Sequence, residues 1–366
     1  MGVPIRQQIS LAGYIAKQKL RGRRRYPLVL MLEPLFQCNL ACAGCGKIDY
    51  PPEVLARRLS LADCLAAVEE CGAPVVSIAG GEPLIHPEMP AIVQAILARR
   101  RFVYLCTNAL LLRQRLAEYR PSPYLTLSIH LDGLRERHDT AVCRAGVFDR
   151  AVAAIREARE RGFRVNVNST LFAGEQAAEY ARFLDFCNEL DVEGVTLSPG
   201  FDYAAAPQQE QFLQRQAGKR LLRAIFRLGR GRKWRLNHSP LYLDFLAGNQ
   251  SYQCTPWGNP TRNIFGWQRP CYLLADGHAE SFRALLEETD WSAYGVGQHP
   301  QCHNCMAHCG FEASAVDDAL RRPLKALGVM LGGPRTEGPM APEPIHPVEP
   351  APSARRPGDE PLTERA

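Results

Sequence analysis

Between residues 28 and 199, short apolar runs alternate with longer stretches in which apolar positions recur every three or four residues. The runs are LVLMLEP (28–34), VVSIAGG (75–81), VYLCTN (103–108), LTLSIHL (125–131), RVNVNST (164–170) and GVTLSP (194–199). Their length, β-branched content and bounding Gly, Pro and Asn residues are strand signals. SLADCLAAVEECG, MPAIVQAILARRR and VFDRAVAAIREARERG, which lie between them, carry the repeat of amphipathic helices. Such an alternation predicts an α/β fold of parallel strands buried on both faces. Six units in series fit a partial (β/α)6 TIM-like barrel, with its functional groups at the C-terminal strand ends. A doubly wound open sheet is the alternative, but no G-x-G-x-x-G follows the first strand.

The pattern changes at three places. Past residue 200 the strand–helix rhythm stops, and residues 201–333, richer in Trp, Tyr and Cys, read as a smaller C-terminal region. Residues 334–366 are dominated by Pro, Glu and Ala and read as a disordered tail. Residues 1–27 form a basic amphipathic segment: the first 25 hold seven Lys or Arg and no acid, more than the whole net charge of +6. Ile5, Ile9, Tyr14 and Ile15 interleave with that charge, so the segment either lies on an anionic membrane surface or docks on the domain as a solvated helix. No aromatic stacking platform accompanies the charge, which ranks nucleic acid last. A second basic stretch with an apolar side is ALRRPLKALGVMLGG (319–333). No apolar run is long enough to span a bilayer, and the first basic residues follow the apolar ones, the reverse of a secretory signal. These features predict a cytoplasmic protein, whose thirteen cysteines are metal ligands, catalytic thiols or core residues rather than disulfides.

The first strand leads into FQCNLACAGCGKI, where Cys38, Cys42 and Cys45 form a C-x3-C-x2-C array. Three thiolates are odd for disulfides and one short for a four-thiolate zinc site. They suit a [4Fe-4S] cluster with one iron left open; zinc or inert core thiols are the alternatives. The second strand ends in Gly80-Gly81-Glu82-Pro83. Two glycines let the backbone approach a ligand closely, and Glu82 offers a carboxylate to an ammonium group.

The three-cysteine loop followed by GGEP, over about residues 28–200, resembles the radical S-adenosylmethionine (SAM) superfamily. The resemblance implies a cluster on Cys38, Cys42 and Cys45 whose open iron chelates the amino and carboxylate groups of SAM. One-electron reduction then yields methionine and a 5′-deoxyadenosyl radical. It further implies that Gly80, Gly81, Glu82 and Pro83 receive the methionyl ammonium. Ser128 sits where a polar group meets the ribose or methionine, and Arg144 matches an arginine that meets the SAM carboxylate. Asn108 and Asn168 are strand-end candidates. The superfamily usually carries an aromatic residue before the third cysteine; here it is Gly44, so an adenine contact from that position is not implied.

Over about residues 1–333 the chain also resembles the hopanoid-biosynthesis radical SAM family. The resemblance rests on CNLACAGCGKI, HLDGLRERHD, LSPGFDYAAAP, the segment from WRLNHSPLYLDFLAG to CYLL, and CHNCMAHCGFEASAV. It implies addition of the 5′-deoxyadenosyl group to the terminal alkene of diploptene, giving adenosylhopane. A reducing partner such as flavodoxin or ferredoxin and a peripheral position on the inner face of the cell membrane go with that reaction. Radical addition to the alkene leaves a tertiary carbon radical, and Cys106 is the best-placed thiol to give it a hydrogen atom. A hydrocarbon substrate calls for an apolar cavity, for which Phe201, Tyr203, Trp257, Phe265 and Trp267 are candidates. Cys254, Cys271, Cys302, Cys305 and Cys309 fit a second iron–sulfur cluster, a zinc site with His303 or His308, or unliganded thiols. Cys64, Cys71, Cys143 and Cys187 read as small core residues. A peptide-modifying radical SAM enzyme with an auxiliary cluster and a non-catalytic zinc-stabilised membrane adaptor are the competing functions.

Overall fold

The computed structural model describes residues 3–200 and 209–343. All six anticipated strands form: β1 (Val29–Leu32), β2 (Val75–Ile78), β3 (Phe102–Thr107), β4 (Leu125–His130), β5 (Arg164–Leu171) and β6 (Gly194–Pro199). They pair in parallel in chain order, and the sheet stays open, as in a partial TIM-like barrel. Helices wrap one face. Leu61–Cys71, for example, starts at a reciprocal Ser60/Asp63 cap and ends at Gly72, whose φ of 67° stops it.

The strands are not apolar on both faces as the sequence suggested. Residues of one parity (Leu30, Leu32, Ile78, Leu105, Leu127, Val165) are buried under the helices. The other parity carries Ser77, Cys106, Ser128, His130, Asn166, Asn168 and Thr196 on the inner face. Pairing in register lines these up across the sheet: Cys106 beside Ser128 beside Asn166, then His130 beside Asn168 beside Thr196.

The C-terminal region does not stand apart from the barrel. β7 (Thr261–Asn263) pairs in parallel with β1, and β8 (Gly266–Pro270) and β9 (Ala275–Ala279) continue the same sheet antiparallel, giving nine strands. Leu222 and Ile225, Leu241 and Phe245, and Phe311 come from three C-terminal helices and join the same core as the barrel. The tail boundary also moves. Residues 334–343 are docked: Arg223 donates to Gly338 O (2.7 Å) and Ala341 N to Gly248 O (2.8 Å). Glu343 pairs with Arg215 at 2.8 Å and with Lys219, a cation only 1% exposed that needs a counter-charge. Residues 344–366 lie outside the described residues.

The N-terminal helix Ile5–Leu20 docks on the domain. It lies across the N-terminal ends of the strands: buried Gln7 accepts from Tyr104 Oη (3.1 Å), and the Arg6 guanidinium stacks over Tyr124 at 4.8 Å. Arg25, just beyond, stacks over Trp257 and Trp291. Among the described residues no helix is long and apolar enough to cross a membrane.

Candidate functional site

The three-cysteine loop is held by the segment after β2. Ala79 N donates to Leu32 O (2.8 Å), Gly81 N to Leu35 O (2.9 Å) and Glu82 N to Gln37 O (2.9 Å), so residues 79–82 extend the sheet along the start of the loop. A Cβ at Gly80 would stand 2.3 Å from Leu35 O, and one at Gly81 2.1 Å from Gln37 O. The glycines therefore let two backbones meet, where the sequence had suggested close approach of a ligand. The carboxylate of Glu82 is likewise occupied. Only 1% exposed, it accepts from Leu84 N (3.0 Å), Asn108 N (2.8 Å) and the Thr107 hydroxyl (2.8 Å). Burial pushes its pKa up, and the three donors pull it part of the way back. Glu82 ties β2 to β3 beneath the loop, and the half-buried backbone of Gly80 and Gly81 stands at the rim.

Cys38, Cys42 and Cys45 are free, partly exposed thiols at the mouth. Leu40, Val142 and Val147 make a small apolar cluster against Cys38 and Cys42. Asn108 Nδ2 donates to Asn39 Oδ1 (2.7 Å) and points at Cys38 Sγ (3.9 Å), and Arg144 reaches Asn39 O at 3.5 Å. The backbone N–H groups of Leu40 and Asn39 face the Cys38 sulfur, and that of Lys47 faces Cys45. Burial, more than the charges around it, pushes Cys38 up to about 11, and the other two thiols are also raised. Among the described residues, no three Cys, His, Asp or Glu side chains close on a point that one metal ion could occupy. Three thiolates from one loop are the donor set that a [4Fe-4S] cluster with one iron left open takes.

Inside the barrel, Cys106 Sγ lies 3.5 Å from Ser77 Oγ, with the Ser128 hydroxyl also bonded to it. Burial raises its pKa, so the thiol keeps its proton. Asn168 shares this face. Sequence reasoning missed His130, two residues beyond Ser128 on the same side. Its Nε2 meets Asp132 Oδ2 at 2.7 Å, while Asp132 Oδ1 accepts Thr170 N (2.7 Å) and Asp132 N donates to His138 Nδ1 (3.2 Å). Burial lowers the His130 pKa, but the Asp132 charge and hydrogen bond outweigh it and leave it raised. The i, i+2 spacing in SIHLD was the available signal.

At Gly44 a Cβ would stand 2.8 Å from the ring of Phe172, the residue after β5, so Phe172 fills the space beside the third cysteine. The other aromatic candidates do not form one cavity. Trp257 packs on Trp291 (5.3 Å between ring centres), Phe265 on Phe36 (5.9 Å), and buried Trp267 donates from Nε1 to Glu70 (3.0 Å). Phe201 and Tyr203 lie outside the described residues. Cys64, Cys71 and Cys187 are buried as anticipated, but Cys143 is exposed at a positive φ of 54° in the loop opposite the array. The C-terminal Cys254, Cys271, Cys302, Cys305 and Cys309 all line one cavity. His303 is not among its walls, and His308 Nδ1 turns to Ser198 Oγ at 3.5 Å.

Residues 32–187 match the Radical SAM superfamily, and residues 195–329 match a domain of unknown function (DUF3463). GTP 3′,8-cyclase 1 of Mycobacterium tuberculosis is 28% identical over 175 residues, 45% of this chain and 49% of that protein. The chain spans about half the length of the curated relatives it matches. Among solved structures, anSMEcpe with bound AdoMet superimposes with a TM-score of 0.57 at 16% identity, covering 83% of this chain and 98% of that one. Streptococcus suis SuiB bound to precursor peptide SuiA gives a TM-score of 0.56 at 18% identity, covering 70% and 62%. These likenesses show the fold.

Proposed function

With residues 32–187 a radical SAM superfamily domain, we propose that this protein is an adenosylhopane synthase, adding a 5′-deoxyadenosyl group to the terminal alkene of diploptene. Cys38, Cys42 and Cys45 would hold a [4Fe-4S] cluster, which with SAM at its open iron supplies the 5′-deoxyadenosyl radical. Asn108 and Arg144 meet the loop at Asn39 and, with the backbone of Gly80 and Gly81, would hold the methionyl end of such a SAM. Ser128 and Asn168 face the interior, where the rest of the molecule would lie.

The observation that carries the reading is Cys106. Adding the radical to the alkene consumes SAM and leaves a tertiary carbon radical that must gain a hydrogen atom. Cys106 keeps its proton and faces the barrel interior between Ser77 and Ser128. Its S–H bond is weaker than the C–H bond being formed, so transfer is downhill. The resulting thiyl takes one electron from a flavodoxin- or ferredoxin-type donor and one proton to become a thiol again.

Anaerobic incubation with SAM, a reductant and diploptene tests the reading by mass analysis for the adenosyl adduct. Cys106→Ala should leave SAM cleavage intact while lowering the yield or scrambling the new stereocentre. Unchanged yield and stereochemistry would assign the donor role elsewhere. The polar inner face favours a second reading, a peptide-modifying radical SAM enzyme, in which a peptide replaces diploptene and no lipid adduct forms. A zinc-stabilised adaptor has less support, since residues 32–187 match the Radical SAM superfamily.

The protein would reach its substrate as a peripheral protein at the inner face of the membrane. Leu324 and Leu331, 82% and 77% exposed on the helix Pro323–Gly332, support this, with Arg321, Arg322 and Lys325 around them. Binding to anionic vesicles should weaken as salt is added; equal binding to neutral vesicles would remove the electrostatic part of that placement.

A further inference from the structure

The proposed reaction leaves Cys106 as a thiyl, which needs an electron and a proton before the next cycle. The electron comes from a protein donor, but the proton has to reach a sulfur enclosed by the strands. Burial opposes a bare thiolate there, so the electron is accepted well only if a proton follows it. Two hydroxyls touch the sulfur, Ser77 Oγ at 3.5 Å and that of Ser128. A hydroxyl can hand a proton on, but it is too weak an acid to be the source.

Along the inner face of β3 to β6, His130 is the side chain whose ordinary pKa lies near neutrality. It stands two residues beyond Ser128 on the same face of β4, roughly 7 Å along the strand. Its Nε2 is held by Asp132 Oδ2 at 2.7 Å, while Nδ1 has no partner among the described residues. The side chain is 26% exposed, so the ring opens on the interior. The other groups around the pair leave the Asp132 charge in control. His138, on the helix Arg135–Ala141, lies 5.6 Å away ring to ring. Its Nδ1 accepts Asp132 N, and burial lowers its pKa to about 4, so it stays neutral. Glu175, which feels the Asp132 charge, is paired with Arg137 (3.0 Å), and Cys42 also lies within reach of that charge.

The gap between His130 and Ser128 has a feature of its own. Asn166 pairs in register with Ser128, and its Nδ2 donates to Thr196 Oγ1 (3.0 Å) in the row of His130. The amide therefore spans the two rows. Its Oδ1 is buried and has no partner among the described residues. An unpaired buried acceptor is costly, and one water bonded to it removes that cost.

We propose that the His130–Asp132 pair is the proton source that resets Cys106, through a water on Asn166 and the hydroxyl of Ser128. The Cys106 S–H bond breaks as the product C–H bond forms, and one electron from the flavodoxin- or ferredoxin-type donor turns the thiyl into a thiolate. The Ser128 O–H proton then moves to sulfur, the water replaces it, and the His130 imidazolium gives its Nδ1 proton to the water. Solvent at the mouth recharges the neutral imidazole. Asp132 keeps its charge throughout and acts as a positioning residue.

The inference rests on the Cys106 reading. It is tested by following adduct formation from SAM and diploptene by the full reconstituted chain through the first and later turnovers. Only later turnovers need a new proton, so His130→Gln should raise the ratio of first-turnover to steady-state rate by about tenfold or more. In wild type that ratio should rise with pH through the His130 value, as the imidazolium is lost. In Asp132→Asn, which removes the charge that holds the proton on His130, the rise should move to lower pH. A ratio that is independent of pH in wild type, or unchanged in His130→Gln, would overturn the relay, as would a rise that stays in place in Asp132→Asn. The two readings fail separately. Unchanged yield and stereochemistry in Cys106→Ala sinks the donor assignment, whereas a Cys106-dependent reaction with an unchanged ratio in His130→Gln sinks the relay alone.

Discussion

Cys38, Cys42 and Cys45 come from eight consecutive residues and stand partly exposed at the barrel mouth, while the five C-terminal cysteines are gathered from a span of more than fifty residues into one cavity. The first set is made by local spacing, and its thiols are partly exposed. The second is made by tertiary packing, and it is enclosed by apolar walls and anchored carbonyls. A three-thiol loop that is to admit a co-substrate has to stay open; thiols packed into the core can be closed off. The two regions meet at Lys47, whose ammonium pairs with Glu33 (2.9 Å) and lies over the rings of Phe36 (5.6 Å) and Tyr272 (5.8 Å), next to Cys271.

The largest test of this contrast is at the open site. Replacing Cys38, Cys42 and Cys45 together by Ala should abolish 5′-deoxyadenosine formation from SAM, measured by chromatography after reduction. Full cleavage activity in that variant would remove the functional distinction between the two sites. Next come paired glycine substitutions. Gly81→Ala drives a Cβ against the backbone oxygens of Gln37 and Phe36, which cannot move without displacing the cysteine loop. It should cost about 3 kcal/mol and SAM binding as well. Gly310→Ala meets only the Cys254 side chain and should cost about 1 kcal/mol. Equal losses in denaturant melts would show that the C-terminal site is as intolerant as the mouth.

The smallest effect concerns pH. The His130 pKa is raised in the folded protein and that of Asp132 is lowered, so their pair stabilises the fold between the ordinary carboxylate and histidine ranges. Its contribution fades as pH rises through the His130 value, and again as pH falls through the Asp132 value. The loss of Tm in His130→Gln should therefore be greatest near about pH 5.5 and shrink toward pH 8. A pH-independent difference would mean that the pair is not charged in the folded state.

The six barrel strands were readable because each is a compact run of apolar, β-branched residues between clear turn signals. β7 to β9 were not. β7 has three residues, and ADGHA and GWQRP carry little strand propensity; their pairing depends on β1, more than two hundred residues earlier. The cysteine loop was legible as spacing, but the duty of its neighbour was not. Glu82 reads as a free carboxylate until Thr107 and Asn108 are seen to donate to it from the next strand. The polar inner face was hidden in the same way, because Leu, Ile and Val on the helix side dominate each run. Glu343 sits in a stretch whose composition promised disorder, and the buried cations of Arg215 and Lys219, with the Arg223 bond to Gly338 O, explain why the chain stays down there.

The helix that lies across the strand N-termini has a kinetic consequence. With Gln7 bonded to Tyr104, the helix covers the N-terminal end of the strands, which leaves the C-terminal end, where the cysteine loop stands, as the side for entry. If SAM and the second substrate of the proposed reaction share that side, they cannot exchange independently. Initial-rate patterns should then be those of an ordered sequential mechanism, and an inert analogue of the second substrate should trap the first by slowing its dissociation.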